Sequence, residues 1–221
     1  MLVLPKPGFF PVDGEEGHAL AIRLFDQVKT YCGMADWPVL LAPSGQQTRA
    51  DDGIGLAPEQ QTSTLGQFVV DGEGVMITYD PALLQTPPSL ISTFAHELAH
   101  YLIATAQTPM VCAPDEEEFL TDLAATFLGF GVFLANTRFS KTVAHTELGQ
   151  GVGWQRSGYL PENDLVFGTA IFLALHDIDP TEAGECLKPH LRTGLRKAVS
   201  DLRERDEIEE MRRTAGIFAR D

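Results

Sequence analysis

The segment FAHELAH, residues 94–100, places two histidines four positions apart, with a glutamate directly after the first. Residues four apart on an α-helix point in nearly the same direction, one turn apart. His96 and His100 can therefore bind one metal ion if this segment is helical. Glu97 would then project beside them and reach a water on that metal without binding the metal itself. The pattern predicts a helix here, carrying an open metal site with its own base.

The simplest alternative is a core helix whose histidines are buried for packing, since the pattern arises by chance in roughly one chain per hundred of this length. We expect the helix over about 88–105, after a capping threonine, Thr86, and two prolines that a first turn tolerates. An apolar stripe separate from the histidines argues against the packing alternative. The stripe comprises Ile91, Phe94, Ala95, Leu98, Leu102 and Ala106.

A third ligand is expected from the segment EEEFLTDLAATFLGFGVFLAN, where Glu118 and Asp122 lie four apart in a strongly apolar helix. Such an acidic pair is costly in a buried helix without a cation. Glu118 can bind the metal, and Asp122 can accept a hydrogen bond from a ligand histidine and fix its tautomer. An acidic first turn favoured by the helix dipole explains Glu116 and Glu117, but it explains Asp122 poorly.

HELAH followed by Glu118 and Asp122 resembles the HExxH…ExxxD pattern of gluzincin-type zinc metallopeptidases. The resemblance covers about residues 86–137, and the short gap before Glu118 suits compact, minimal zincins. It implies one zinc ion per chain bound by His96, His100 and Glu118, with Glu97 as the base and Asp122 supporting a ligand. The segments GFGVFLAN and SGYLPEN also resemble those of uncharacterised bacterial HExxH proteins.

In zincins the strand before the active-site helix pairs antiparallel with an extended substrate, by main-chain hydrogen bonding. The corresponding run here is VMITY, which comprises Val75, Met76, Ile77, Thr78 and Tyr79. An ordinary edge strand is an equally good interpretation of this run. We therefore state its role in substrate binding as an expectation of the resemblance.

A group that stabilises the developing oxyanion is also expected near the metal. The candidates are His145, Arg156, Tyr159 and His176. Tyr159 and Arg156 lie in a glycine-rich segment, 149–163, predicted to be a loop from which a side chain can reach over a cleft. His176 is also placed to cap its helix. Spacing favours none of the four, although Tyr159 is our choice for the catalytic role.

The composition, with 44% hydrophobic residues and a net charge of −15, is that of a globular protein and argues against nucleic acid as a partner. Three widely spaced cysteines, without a CxxC pair, are typical of reduced thiols. No signal peptide is recognisable, and the longest apolar run, 165–175, is too short to span a bilayer. These features predict a cytoplasmic protein with no membrane partner.

The order of predicted elements indicates an α+β fold, with a small mixed or antiparallel sheet packed on a mainly helical body. We expect one zincin-like domain over 1–221. Residues 1–85 would supply a helix (15–32), a strand (39–43), a long polar loop (44–64) and a hairpin (67–81). Residues 86–137 would supply the metal-site helices, and 138–221 a helical C-terminal part.

These features together predict a zinc-dependent metallopeptidase that hydrolyses a peptide or amide bond in a peptide or protein substrate. The alternative is a zincin-fold metal-binding protein that binds a partner or regulates, with little or no hydrolysis. An intact Glu97 favours the enzyme, since a binding module needs no base. A structural zinc site would need a fourth protein ligand, usually a cysteine, and the nearest is Cys112.

Overall fold

The computed structural model describes residues 1–45, 65–71, 74–108, 112–113, 115–146, 149–156 and 158–216, without the side chains of 71 and 139–156. The predicted loop over 44–64 therefore lies almost wholly outside the described residues. The predicted first helix is confirmed as α1, Gly17–Tyr31, and the predicted first strand as β1, Leu40–Pro43.

A three-stranded mixed sheet follows the first helix. The predicted hairpin is confirmed, with β2 over Gly66–Asp71 and β3 over Gly74–Tyr79. The strand order is β1-β3-β2, so β3 lies in the middle, parallel to β1 and antiparallel to β2.

The prediction that VMITY forms a substrate-binding edge strand is wrong. Within β3, the residues Val75, Met76, Ile77, Thr78 and Tyr79 all pair with β2, and all but Val75 also pair with β1. A strand whose backbone groups are bonded on both sides cannot add a further peptide. In the described part of the chain, β2 is the antiparallel edge strand of this sheet.

The helix that carries HELAH is α2, Pro87–Ala104, close to the predicted bounds. A single 3₁₀ turn, Pro81–Gln85, leads from the sheet into it. The helix packs against α1 and the sheet through its apolar face, where the ring of Phe94 contacts Phe25 of α1 at 5.1 Å and Tyr79 of β3 at 5.8 Å between ring centroids. This packing leaves the two histidines on another face of the helix.

The predicted second helix is broken into three parts: α3 (Glu117–Ala125), a π-helical turn (Thr126–Phe130) and α4 (Gly131–Thr137). The break lies at Gly129, whose φ of 104° is outside the helical region. By length and composition the whole segment, Glu117–Thr137, could cross a membrane. However, 61% of its most apolar window is buried within the fold, as in the core helix of a soluble protein.

The C-terminal part departs from the predicted all-helical arrangement. A two-stranded antiparallel hairpin, formed by β4 (Phe139–Thr146) and β5 (Gly149–Arg156), takes up much of the predicted glycine-rich loop. The remaining helices are α5 (Glu162–Leu175), α6 (Thr181–Cys186), α7 (Arg192–Arg203) and α8 (Asp206–Thr214).

One connected hydrophobic core draws on α1, the sheet, α2, the broken second helix and the C-terminal helices. The α+β class, with a small mixed sheet beside a mainly helical body, is confirmed. The three cysteines are free thiols, as predicted.

Candidate metal centre

Three side chains from two helices converge on one point beside α2. His96 and His100 come from one face of α2, and Glu118 comes from the first turn of α3. The Nε2 atom of His96 lies 3.1 Å from Glu118 Oε2 and 3.2 Å from His100 Nε2, and the latter lies 3.3 Å from the same carboxylate oxygen. The sequence predicted all three members of this cluster.

The size of this triangle fits a tetrahedral metal site. Nitrogen and oxygen ligands about 2.0–2.2 Å from a tetrahedral zinc ion lie about 3.3–3.5 Å apart. The three distances agree with that range to within a few tenths of an ångström. Two imidazoles and one carboxylate are also a donor set that suits zinc and related transition metals. Cys112 does not belong to the cluster, so no cysteine closes the fourth position.

Asp122 fixes the orientation of His96. Its carboxylate oxygen Oδ1 lies 2.9 Å from His96 Nδ1, and only 1% of the residue is exposed. Because an ionised carboxylate only accepts hydrogen bonds, Nδ1 carries the proton and Nε2 is left for a metal ion. Asp122 therefore has the predicted place, one turn after Glu118 on the same face of α3.

Thr121 orients His100 in the way that Asp122 orients His96. The sequence did not predict this role. Its hydroxyl lies 3.3 Å from His100 Nδ1 and donates to the carbonyl oxygen of Glu117 at 2.9 Å. Since the hydroxyl proton is used by that carbonyl, the oxygen accepts from Nδ1–H of His100. Nε2 of His100 is thereby also directed at the cluster without a proton.

The two histidines differ in charge in the metal-free protein. Burial lowers the pKa of His96, but its hydrogen bonds to Asp122 and Glu118 and the nearby acidic charges outweigh burial and raise that pKa to about 10. Burial and the charge of His96 lower the pKa of His100. A proton on His96 Nε2 thus holds the cluster together where a metal ion would otherwise sit. The hydrogen bond from His96 keeps the pKa of Glu118 below its usual value.

Glu97 lies next to the cluster but is directed towards the edge strand β2. It is 6% exposed, and burial raises its pKa to about 7, although a hydrogen bond from the backbone of Phe68 opposes this shift. A Cβ atom on Gly66 would lie 2.8 Å from Glu97 Oε1 and 2.6 Å from a methyl group of Thr93. Glycine at position 66 therefore lets β2 pass directly against the base.

Tyr159 lies on the other side of the histidines from α2, in the segment that leads into α5. Its ring stacks on His96, with centroids 5.9 Å apart and an interplanar angle of 20°. Burial and the charges of Glu118, Glu97 and Asp122 raise the pKa of its hydroxyl, which therefore stays protonated at neutral pH. Among the predicted oxyanion candidates, Tyr159 is thus next to the cluster.

Of the other candidates, the structure describes only the side chain of His176. His176 is the C-terminal cap of α5, as the alternative interpretation expected. The side chains of His145 and Arg156 lie outside the described part of the structure.

Two features of the site escaped sequence reasoning. The first is Thr121, although its spacing of three from Glu118 placed it on the correct helix face. The second is Arg138, which is 1% exposed and whose guanidinium Nη2 donates to the Tyr159 carbonyl at 2.8 Å. No local pattern marks Arg138, since its partner lies 21 residues further along the chain.

Comparison of the chain with protein-family models, curated proteins and solved structures finds no match. The assignment of a function therefore depends on the geometry of the site.

Glu118→Ala should abolish stoichiometric metal binding, because it removes one of three ligands, whereas Glu117→Ala should leave it intact. Glu117 is the matched control, since it is an exposed acid in the same first turn of α3. Metal content after zinc loading and dialysis, measured by mass spectrometry, distinguishes the two variants. Full occupancy in Glu118→Ala would show that another group completes the site.

Thr121→Val should weaken zinc affinity by roughly tenfold, the lower end of the range for a group that orients a ligand. Thr126→Val is the control, because Thr126 is also buried in this helical segment and also donates to the carbonyl four residues earlier, but it contacts no ligand. Competition with a chromophoric chelator gives both affinities. Equal affinities in the two variants would mean that Thr121 does not orient His100.

Zinc binding should release about one proton near neutral pH, because His96 is protonated up to a pKa of about 10 in the metal-free protein. The metal competes with that proton, so affinity should rise about tenfold per pH unit until His96 is deprotonated. Calorimetry in buffers of different ionisation enthalpy measures the protons released. Zinc binding to the Asp122→Asn variant should release fewer protons. A zinc affinity that does not change with pH in the unaltered protein would contradict the assigned protonation of His96.

Proposed function

We propose that this protein is a zinc-dependent metallopeptidase of the gluzincin type that hydrolyses a peptide or amide bond. The observation that carries the proposal is the convergence of His96 Nε2, His100 Nε2 and Glu118 Oε2, at mutual distances of 3.1–3.3 Å, beside the buried carboxylate of Glu97. Three ligands and an adjacent base are what metal-assisted hydrolysis requires, because the fourth position stays open.

The placement of the sheet supports a zincin-like interpretation of the fold. An antiparallel edge strand, β2, lies against the base, and the chain continues through β3 into the helix with the ligands. We assign to β2 the peptide-binding role that the resemblance to zincins implied for β3. An extended substrate paired with the outer edge of β2 would run past Glu97 and bring a carbonyl group to the cluster.

The chemistry divides between the metal and the protein. A bound zinc ion supplies Lewis-acid chemistry, since it lowers the pKa of water towards about 7 and polarises a carbonyl group. Glu97 takes the proton from the attacking water and passes it to the leaving nitrogen. Burial raises the pKa of Glu97 to about 7 in the metal-free protein, so this carboxylate takes up a proton more readily than an exposed one.

Two further features of the protein support these roles of the metal ion and of Glu97. The Glu97 carboxylate lies directly against Gly66 of the edge strand β2, where the substrate would lie. The hydroxyl of Tyr159, whose pKa is raised, would donate a hydrogen bond to the oxygen that gains negative charge in the transition state.

Glu97→Gln should retain zinc and the fold but lose about 10²–10⁴-fold in cleavage rate, because the amide cannot accept a proton. The assay is cleavage of a peptide library by purified protein, with zinc content measured in the same samples. Glu117→Gln is the control, since it removes one carboxylate from the exposed start of α3 and should cleave normally.

Equal cleavage by the unaltered protein and Glu97→Gln would identify a contaminant or a different base. If neither protein cleaves, and both capture the same peptide, the site acts as a metal-dependent binding module and the hydrolase proposal fails.

A further inference from the structure

The segment Gly158–Leu160 is held at its backbone by two buried charged side chains. From α3, Asp122 Oδ2 accepts hydrogen bonds from the backbone amides of Tyr159 and Leu160, each at 2.7 Å. From the end of α4, Arg138 Nη2 donates to the carbonyl oxygen of Tyr159 at 2.8 Å. Both the amide and the carbonyl of Tyr159 are therefore fixed by groups from the core.

Gly158 lets these two side chains approach the segment. Its φ of +80° favours glycine, and a Cβ at this position would lie 3.3–3.5 Å from both Asp122 carboxylate oxygens and from Arg138 Nη1. The carboxylate and the guanidinium thus meet the turn at the same point. A side chain at position 158 would be strained by the positive φ and would crowd the Asp122 carboxylate, while it would only touch Arg138.

Arg138 is buried, so its guanidinium group needs hydrogen-bond partners inside the fold. It is the largest of the fully buried side chains in the described structure, and burying a guanidinium is costly unless its hydrogen bonds are made. The β4–β5 hairpin begins directly after Arg138, and Gly158 follows it on the way to α5. The hydrogen bond from Arg138 to Tyr159 therefore joins the two ends of the segment that contains the hairpin.

Asp122 and Arg138 together position the side chain of Tyr159. This residue is 41% exposed, yet its ring stacks on the ligand His96, and its hydroxyl lies in the field of three carboxylates of the site. The position of the Tyr159 side chain depends on its backbone, which Asp122 and Arg138 hold.

We propose that Arg138 is a positioning residue for Tyr159, acting through the Tyr159 carbonyl to keep the hydroxyl beside the metal site. Asp122 orients the ligand His96 with one oxygen and anchors Tyr159 with the other. In the described structure the Arg138 guanidinium bonds to the Tyr159 carbonyl rather than to His96, His100 or Glu118, so its loss should affect Tyr159 and leave metal binding intact. The expected effect on catalysis rests on the proposed hydrolase function, whereas the expected effect on the backbone of Tyr159 does not.

The structural test is hydrogen exchange in the zinc-loaded protein. In Arg138→Gln, the amides of Tyr159 and Leu160 should exchange at least about tenfold faster, because local opening becomes easier. Zinc content should not change. Arg212→Gln is the matched control, since Arg212 also donates to backbone carbonyls, those of Ala174 and Leu175 at the far end of α5. It should leave exchange at Tyr159 unaltered.

The kinetic test is a double-mutant cycle. Arg138→Gln should lower kcat about as much as Tyr159→Phe does, roughly tenfold or more, with little change in KM. The double variant should be no slower than Tyr159→Phe alone, because Arg138 acts through the tyrosine. Arg138→Lys should recover part of the loss.

Additive effects of the two substitutions would overturn the proposal, as would unchanged exchange at Tyr159 in Arg138→Gln. If Arg138→Gln does not fold, Gly158→Ala loosens the same segment from an exposed position, and it must then show the faster exchange. Absence of any cleavage by the unaltered protein would defeat the hydrolase proposal, while the exchange measurement would still decide the role of Arg138.

Discussion

The arrangement of the site depends on the carboxylate of Asp122, which joins two separate parts of the chain. One oxygen binds His96 on α2, and the other accepts two backbone amides from the segment before α5. Burial opposes the charge on Asp122, but its hydrogen bonds to His96 and to that backbone keep its pKa below the usual value. A charge buried to this extent is tolerated only with all its bonds made, so the helices and the segment hold one another in place.

The hydrogen bonds made by Asp122 and Thr121 also explain why the cluster of His96, His100 and Glu118 favours a cation. Asp122 and Thr121 direct the two imidazole Nε2 atoms at the Glu118 carboxylate, and a cluster of acceptors this close repels itself unless a positive charge lies among them. In the metal-free protein a proton on His96 supplies that charge, as its raised pKa indicates. A divalent cation would supply more charge and satisfy all three side chains at once, so the geometry of the site is suited to a cation.

The parts of this site that the sequence predicted are those defined within one helix. The spacing of His96 and His100, and of Glu118 and Asp122, follows from helical periodicity alone. Strand order was not predictable in this way, because whether β3 lies in the middle or at the edge depends on pairing with β1, more than 30 residues earlier. Thr121 and Arg138 are ordinary in sequence, and their roles come from partners on other elements. The β4–β5 hairpin was missed because alternating glycines at 149, 151 and 153 weaken the strand pattern.

If His96, His100 and Glu118 bind one metal ion with an open fourth position, X-ray absorption at the zinc edge of the zinc-loaded protein should detect that coordination. We expect one zinc ion per chain, with two imidazole nitrogens and carboxylate or water oxygens at about 2.0–2.2 Å and no sulfur, and this result would support the metal site. A sulfur shell near about 2.3 Å, or zinc without imidazole scattering, would contradict it.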